Sequence, residues 1–251
     1  MFLKDKVILV GGNMTNIYTV NNKNKIEQMK TIDNIISLDK EINKENIYVL
    51  LENEEIHIKQ LLLPNTSNNN INSIIMNKLS YLYGNNTEDI YYTYSKWESS
   101  KNEIKIILYC IDCNKARIKN LQKNKFQIKK VNLIQLYYIK HYQKSIMEKD
   151  YIVMIKHNNS IYILAFSEKK LLINQITTEE NLLTSILFII NKMKTNNCVL
   201  TKVYSINLGQ NIIEKYLKLD FEKNEINIKL INLGSITEEE IIRNYIENGR
   251  K

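Results

Sequence analysis

The chain has 251 residues, 44% of them hydrophobic and 25% charged, which is ordinary for a soluble globular protein with room for one large or two small domains. Its formal charge of +8 accompanies abundant Asn, Ile and Lys, with Ala only at 116 and 165 and Pro only at 64. That is the bias of A+T-rich coding, so the charge is read as codon supply rather than as a nucleic-acid footprint. Three cysteines make no disulfide framework and point to a reducing cytoplasm, and the most apolar helical stretch, Leu182 to Ile190, is far shorter than the roughly 20 residues that span a bilayer.

Met1 to Lys6 lead directly into a strand, with no secretory signal expected. Asp5 to Val20 reads as a hairpin: apolar strand, short polar turn, second strand. Ile26, Met29, Ile32, Ile35 and Ile36 recur at helical spacing and predict a helix. Strands are predicted at Ile47 to Leu51 and Ile56 to Leu63, separated by the charged turn Glu52 to Glu55, and Pro64 stops the second. A polar loop follows, with Asn70 as the expected cap of a helix over Ile71 to Tyr83. Ile90 to Trp97 and Glu103 to Ile111 read as strands, Asn114 to Lys123 as a helix, Phe126 to Val131 as a strand and Leu133 to Lys144 as a helix.

At Asp150 a second hairpin opens, with Asn158, Ser160 and, after one skipped residue, Tyr162 matching Asn13, Thr15 and Tyr18. A hairpin that leads both parts of a chain is the layout of a duplicated α/β domain. Lys170 to Ile176, Val203 to Leu208 and Ile226 to Leu233 are predicted strands; Thr178 to Lys194 and Asn211 to Leu217 are predicted helices. Thr237 and Glu240 form a capping box for a last helix, Glu238 to Asn248.

Few motifs carry chemistry. Cys110-Ile-Asp-Cys113 follows an apolar strand rather than opening a helix, which favours buried thiols over a redox pair. A zinc site built on it would need Cys198 and His157 to converge from far away. Lys115, Lys119 and Lys123 lie four apart, with Lys125, Lys129 and Lys130 behind, and read as a solvated face with no aromatic stacking platform between them. Tyr91, Tyr92, Tyr94 and Trp97 alternate along one strand, so half of them belong in a core. None of His57, His141 and His157 has a carboxylate at an informative spacing, and no catalytic or metal-binding residue is assigned.

In the order of its elements, the chain resembles the actin-like cytoplasmic component of type IV pilus and type II secretion assembly platforms, the PilM family and the cytoplasmic part of GspL. The stretch Ile47-Tyr-Val-Leu-Leu-Glu-Asn-Glu-Glu-Ile-His-Ile-Lys-Gln-Leu-Leu-Leu-Pro-Asn65 carries most of the likeness, followed by the 71–83 helix and the strands at Asp89 and Ile104. The resemblance implies a duplicated actin-like, ribonuclease H-like α/β fold. Residues 1–149 would be the first half, with a small inserted subdomain at approximately 44–125, and 150–251 a shortened second half.

Actin-like ATPases end the first strand of each hairpin with Asp-x-Gly. Here Val10 and Ile155 occupy the two Asp positions, and His157 stands where the family has glycine. A Mg²⁺ ion would lose its protein anchor, so the expectation is a fold without hydrolysis and without a bound cofactor. If ATP is bound instead, as in a switch protein of the same superfamily, Gly11, Gly12, Asn13, Thr15 and Gly209 would contact it. The resemblance further implies a scaffold in the cytoplasm, peripheral at the inner face of the membrane. Its partners would be a single-span inner-membrane assembly protein, a hexameric assembly ATPase and a second copy of the chain, with no nucleic acid. A basic module for nucleic acid or anionic lipid is the alternative from another class.

Overall fold

The computed structural model describes residues 5–11, 14–21, 23, 25–33, 46–113, 127–213 and 228–248. The strands of the first part are β1 (Asp5–Val10), β2 (Thr15–Val20), β3 (Ile26–Ile32) and β4 (Asn46–Leu51). Then come β5 (His57–Pro64), α1 (Asn68–Tyr83), β6 (Ile90–Ser99), β7 (Glu103–Asp112), β8 (Gln127–Leu133) and α2 (Ile134–Tyr142). The remainder holds β9 (Tyr151–His157), β10 (Ser160–Ser167), β11 (Lys170–Thr177), α3 (Leu182–Thr195), β12 (Lys202–Ile206), α4 (Gln210–Ile213), β13 (Lys229–Asn232) and α5 (Glu238–Glu247). Two compact units result: residues 1–54 with 120–251, and residues 55–119.

The larger unit contains two five-stranded sheets, ordered β3-β2-β1-β4-β8 and β11-β10-β9-β12-β13. Counted along the chain, both read third, second, first, fourth, fifth. In each, an antiparallel meander supplies three strands and two parallel crossovers supply the others. The leading strands β1 and β9 sit at the centre, and Val7, Ile8, Ile152, Val153, Met154 and Ile155 are wholly buried, as a strand covered on both faces requires. This shared topology makes the duplication a property of the fold.

The helix expected from Ile26 is a strand. Asn21 Oδ1 accepts from Lys23 N at 2.9 Å and Lys25 N at 3.0 Å, and this side-chain turn sends the chain back antiparallel along β2. Of the apolar residues read as a helical stripe, Ile32 is buried, whereas Met29 is 54% exposed. Ile35 and Ile36 lie outside the described residues, as does the predicted helix over 114–120 and 121–123.

The division at residue 149 does not hold for the last helix. Helix α5 has the expected capping box, Glu240 N donating to Thr237 Oγ1 at 3.2 Å and Thr237 N to Glu240 Oε2 at 2.8 Å. It then packs on the first sheet. Tyr245 Oη donates to Val49 O at 2.9 Å, and its ring meets Tyr48 and Tyr137 edge-on, with centroids 6.1 and 5.5 Å apart.

In the smaller unit, α1 covers the antiparallel sheet β5-β7-β6. Ile71, Ile75 and Leu79, four apart, form one face against Leu63, Ile90, Ile104, Ile106, Leu108 and Cys110. Ser67, not Asn70, caps the helix: Asn70 N donates to Ser67 Oγ, while the Asn70 amide turns to Thr66. The insertion is shorter than 44–125, because β4 pairs with β1 and β8 in the first sheet. Tyr92 and Tyr94 pack on the insertion's core and Tyr91 is half exposed, so the aromatic strand divides between core and surface.

Candidate functional site

The two leading hairpins differ in their turns. Val10 pairs with Thr15 across residues 11–14, whereas His157 pairs with Ser160 across Asn158-Asn159. Gly11 N donates to Met14 O at 3.0 Å in the first turn. A Cβ at Gly11 would stand 2.9 Å from Glu52 Oε2, the end of a flexible side chain, and 3.1 Å from Met14 O, so a larger residue there would oblige both to give. Gly12 and Asn13 lie outside the described residues. Thr15 is buried in β2 opposite Val10, and Gly209 has nothing within 4 Å of an added Cβ, so no close approach demands glycine there. Val10 and Ile155 are buried apolar residues at the ends of their parallel ladders, opposite Leu51 and Ile206.

Between the turns the chain has brought together three ionisable side chains that the sequence keeps far apart. Glu52 leaves the end of β4, His157 the end of β9, and Glu238 the first turn of α5. Their ligand atoms all lie within 4.8 Å of one another. His157 Nε2 contacts Glu52 Oε1, and Glu238 Oε2 stands 3.9 Å from the same nitrogen. Glu52 and His157 are 9% and 6% exposed, and Glu238 is partly open to solvent. Asn158, held in the left-handed region at φ 52°, donates its amide to Glu52 Oε1 at 3.3 Å.

A ring of neutral groups fixes this cluster. Tyr138 Oη lies 3.1 Å from His157 Nδ1 and accepts from Asn207 Nδ2 at 3.2 Å. Asn207 is oriented in turn, its Oδ1 accepting from Ile236 N at 2.8 Å. Tyr18 donates to Glu238 Oε1. Tyr162, which pairs with Ile155 as Thr15 pairs with Val10, is wholly buried; its Oη accepts from Asn53 N at 2.9 Å. Burial, reinforced by Glu238 and Glu52, pushes the Tyr18 and Tyr138 phenols far above their ordinary range, so both stay protonated. Among the described residues no lysine or arginine pairs with Glu52 or Glu238.

The sequence singled out His157, as a replaced glycine, but not its partners. Glu52 lay within a charged turn and Glu238 opened a helix; neither carried a signal of its own, because Glu52 and His157 are 105 positions apart. Cys110 and Cys113 are buried and burial pushes both thiols up, which makes them inert core residues. No helix among the described residues is long and apolar enough to cross a membrane. Of the lysine stripe only Lys129 and Lys130 are described, and Lys130 sits over the Tyr245 ring at 5.3 Å.

No family model matches the sequence, and no curated protein is similar to it in sequence. The fold, however, is similar to solved structures over nearly its whole length. One is the PilM-PilN type IV pilus biogenesis complex: TM-score 0.58, 8% identity, 98% of this chain and 97% of that one covered. Another is the cytoplasmic domain of EpsL, an inner membrane component of the type II secretion system of Vibrio cholerae: TM-score 0.57, 8% identity, coverage 98% and 95%. The chain thus has the duplicated α/β, actin-like fold of the PilM and EpsL cytoplasmic domains.

Proposed function

We propose that this protein is a non-catalytic cytoplasmic scaffold of a type IV pilus or type II secretion assembly platform, peripheral at the inner face of the membrane. It would bind the cytoplasmic tail of a single-span membrane partner and help to couple it to a hexameric assembly ATPase. One observation carries the reading: the actin-like fold is present from end to end, yet the space between its leading turns holds Glu52, His157 and Glu238. With no cation between them, a phosphate there would face two carboxylates. At an effective dielectric near 20, a unit negative charge about 4–5 Å from a carboxylate is repelled by about 3–4 kcal/mol. With Val10 and Ile155 at the positions of the ATPase carboxylates, nothing at those sites would anchor Mg²⁺ either.

The smaller unit offers the tail a place. Strand β5 is an outer strand of its sheet, and a groove of about 380 Å³ runs between it and α1, lined by Leu61, Leu62, Leu63, Ile74 and Tyr81 with Asn77 and Lys78. Leu62 is 63% and Tyr81 82% exposed. An extended apolar tail can add along such an edge by main-chain hydrogen bonds and set its side chains in the groove.

The test is cross-linking in the native cell, followed by purification and mass spectrometry. A single-span membrane protein recovered with a hexameric ATPase, and lost with Leu62→Glu, supports the scaffold. Recovery of nucleic acid with no membrane component overturns it. So does Mg²⁺-dependent turnover of ATP by the pure protein that Thr15→Ala abolishes.

A further inference from the structure

We propose that Glu52, His157 and Glu238 form a binding site for a divalent transition cation of the zinc class, independent of any nucleotide. The geometry comes first. In a tetrahedral zinc site, bonds of about 2.0–2.2 Å place the ligand atoms about 3.3–3.6 Å apart. The three ligand atoms here fall within 4.8 Å, with 3.9 Å between His157 Nε2 and Glu238 Oε2. Small rotations of the two glutamate side chains bring them onto a common centre and leave a fourth position for water.

Charge points the same way. Two carboxylates share this largely buried space with one imidazole, and among the described residues no lysine or arginine pairs with either. Glu52 is nine-tenths buried, and all the hydrogen bonds it receives fall on Oε1. Its Oε2 accepts none and is therefore available to an ion. A divalent ion would neutralise the pair and give that oxygen a partner.

The surroundings are those of a metal ligand set. A ligating histidine is oriented through its other ring nitrogen, and ligating carboxylates are themselves hydrogen-bonded. Here Tyr138 holds His157 Nδ1, with Asn207 fixing Tyr138 from behind. Tyr18 holds Glu238 and Asn158 holds Glu52. The donor set also selects the ion. One imidazole with two carboxylates suits Zn²⁺, Co²⁺ or Mn²⁺, whereas Mg²⁺ demands octahedral oxygen ligation. The ion would tie together the end of β4, the end of β9 and the start of α5, with Glu52 and His157 alone 105 positions apart.

Full-length protein freed of metal by a chelator is titrated with Zn²⁺, Co²⁺ and Mg²⁺ in the absence of nucleotide. Heat of binding, the visible absorption of bound Co²⁺ and the melting temperature are followed. The expected result is one Zn²⁺ per chain, a raised melting temperature, a Co²⁺ spectrum that Zn²⁺ abolishes, and no competition from Mg²⁺. Glu238→Gln, which keeps the bond from Tyr18 at a partly exposed position, should weaken Zn²⁺ at least tenfold, and His157→Gln further. Tyr138→Phe should weaken it about 10–100-fold while leaving all three ligands in place. No saturable Zn²⁺ or Co²⁺ binding overturns the proposal. Binding that Glu238→Gln and His157→Gln leave unchanged, or that Mg²⁺ matches, overturns it equally. A scaffold without metal and a metal-binding protein without pilus partners are both readable outcomes, because neither assay uses the other's ligand.

Discussion

Replacing Tyr245 tests whether the C-terminal helix belongs to the first half. The side chain is wholly buried, donates to Val49 O at 2.9 Å and is flanked edge-on by Tyr48 and Tyr137. Tyr245→Phe keeps the ring and removes one hydrogen bond; Val49 O still belongs to a sheet ladder, so the loss is about 0.5–1.5 kcal/mol. Tyr245→Ala removes the ring and leaves a cavity among aromatic neighbours, a change that costs about 3–5 kcal/mol for large aromatic residues. For a chain of this size each kcal/mol moves the melting temperature by about 2–4 °C. The alanine variant should therefore melt about 6–20 °C lower and the phenylalanine variant about 1–6 °C lower, read by calorimetry or circular dichroism at equal protein concentration. An alanine variant that melts within about 2 °C of the parent refutes the packing of α5 on β4. Equal losses in the two variants would mean that the hydrogen bond, rather than the ring, holds the helix.

Thr237→Ala removes one arm of the capping box and should cost about 1 kcal/mol in denaturant titration, with Thr237→Ser restoring most of it. Burial by itself would raise the Glu148 carboxyl, but hydrogen bonds from Lys202 and Tyr204 override it and hold the group at about 2. Its contribution is complete above the ordinary 4.5 and is lost as pH falls towards 2. Lys202→Met should flatten the fall in stability between these values, and an unchanged acid limb would contradict the pairing. Burial pushes Tyr151 up to about 12, and Tyr162, Tyr204 and Tyr245 higher still. A raised phenol stabilises the fold fully below its unfolded value near 10 and loses that contribution as pH rises through the folded one. Denaturation midpoints should accordingly be level from pH 8 to about 10 and fall beyond it, together with late, cooperative phenolate absorbance.

Strand and hairpin patterns were legible because they are local. Val7 to Val10 and Tyr151 to Ile155 announce buried strands by unbroken apolar runs, and Thr237 with Glu240 announces a helix start by two residues three apart. The β3 segment misled because Ile26, Met29 and Ile32 fit a helical period while the decisive feature, the turn closed by Asn21, is a side-chain bond to two backbone amides. The cluster was legible only in part. His157 stood out against the glycine of a phosphate turn, and Gly11 was marked without the neighbour that the fold gives it, Glu52 Oε2. Glu52 and Glu238 acquire meaning only when the parallel crossovers bring β4 beside β1 and α5 returns to the first sheet.

That return has a consequence for how the protein is made. Val49 and Tyr245 are 196 positions apart. A ribosome working at about 5–20 residues per second needs about 10–40 s to pass from one to the other. For most of that interval β4 is outside the exit tunnel, while the helix that shields Tyr48 and Val49 has yet to be translated. Strand β4 is thus made well before the helix that completes its packing, and the nascent chain leaves Tyr48 and Val49 uncovered to chaperones until that helix is translated.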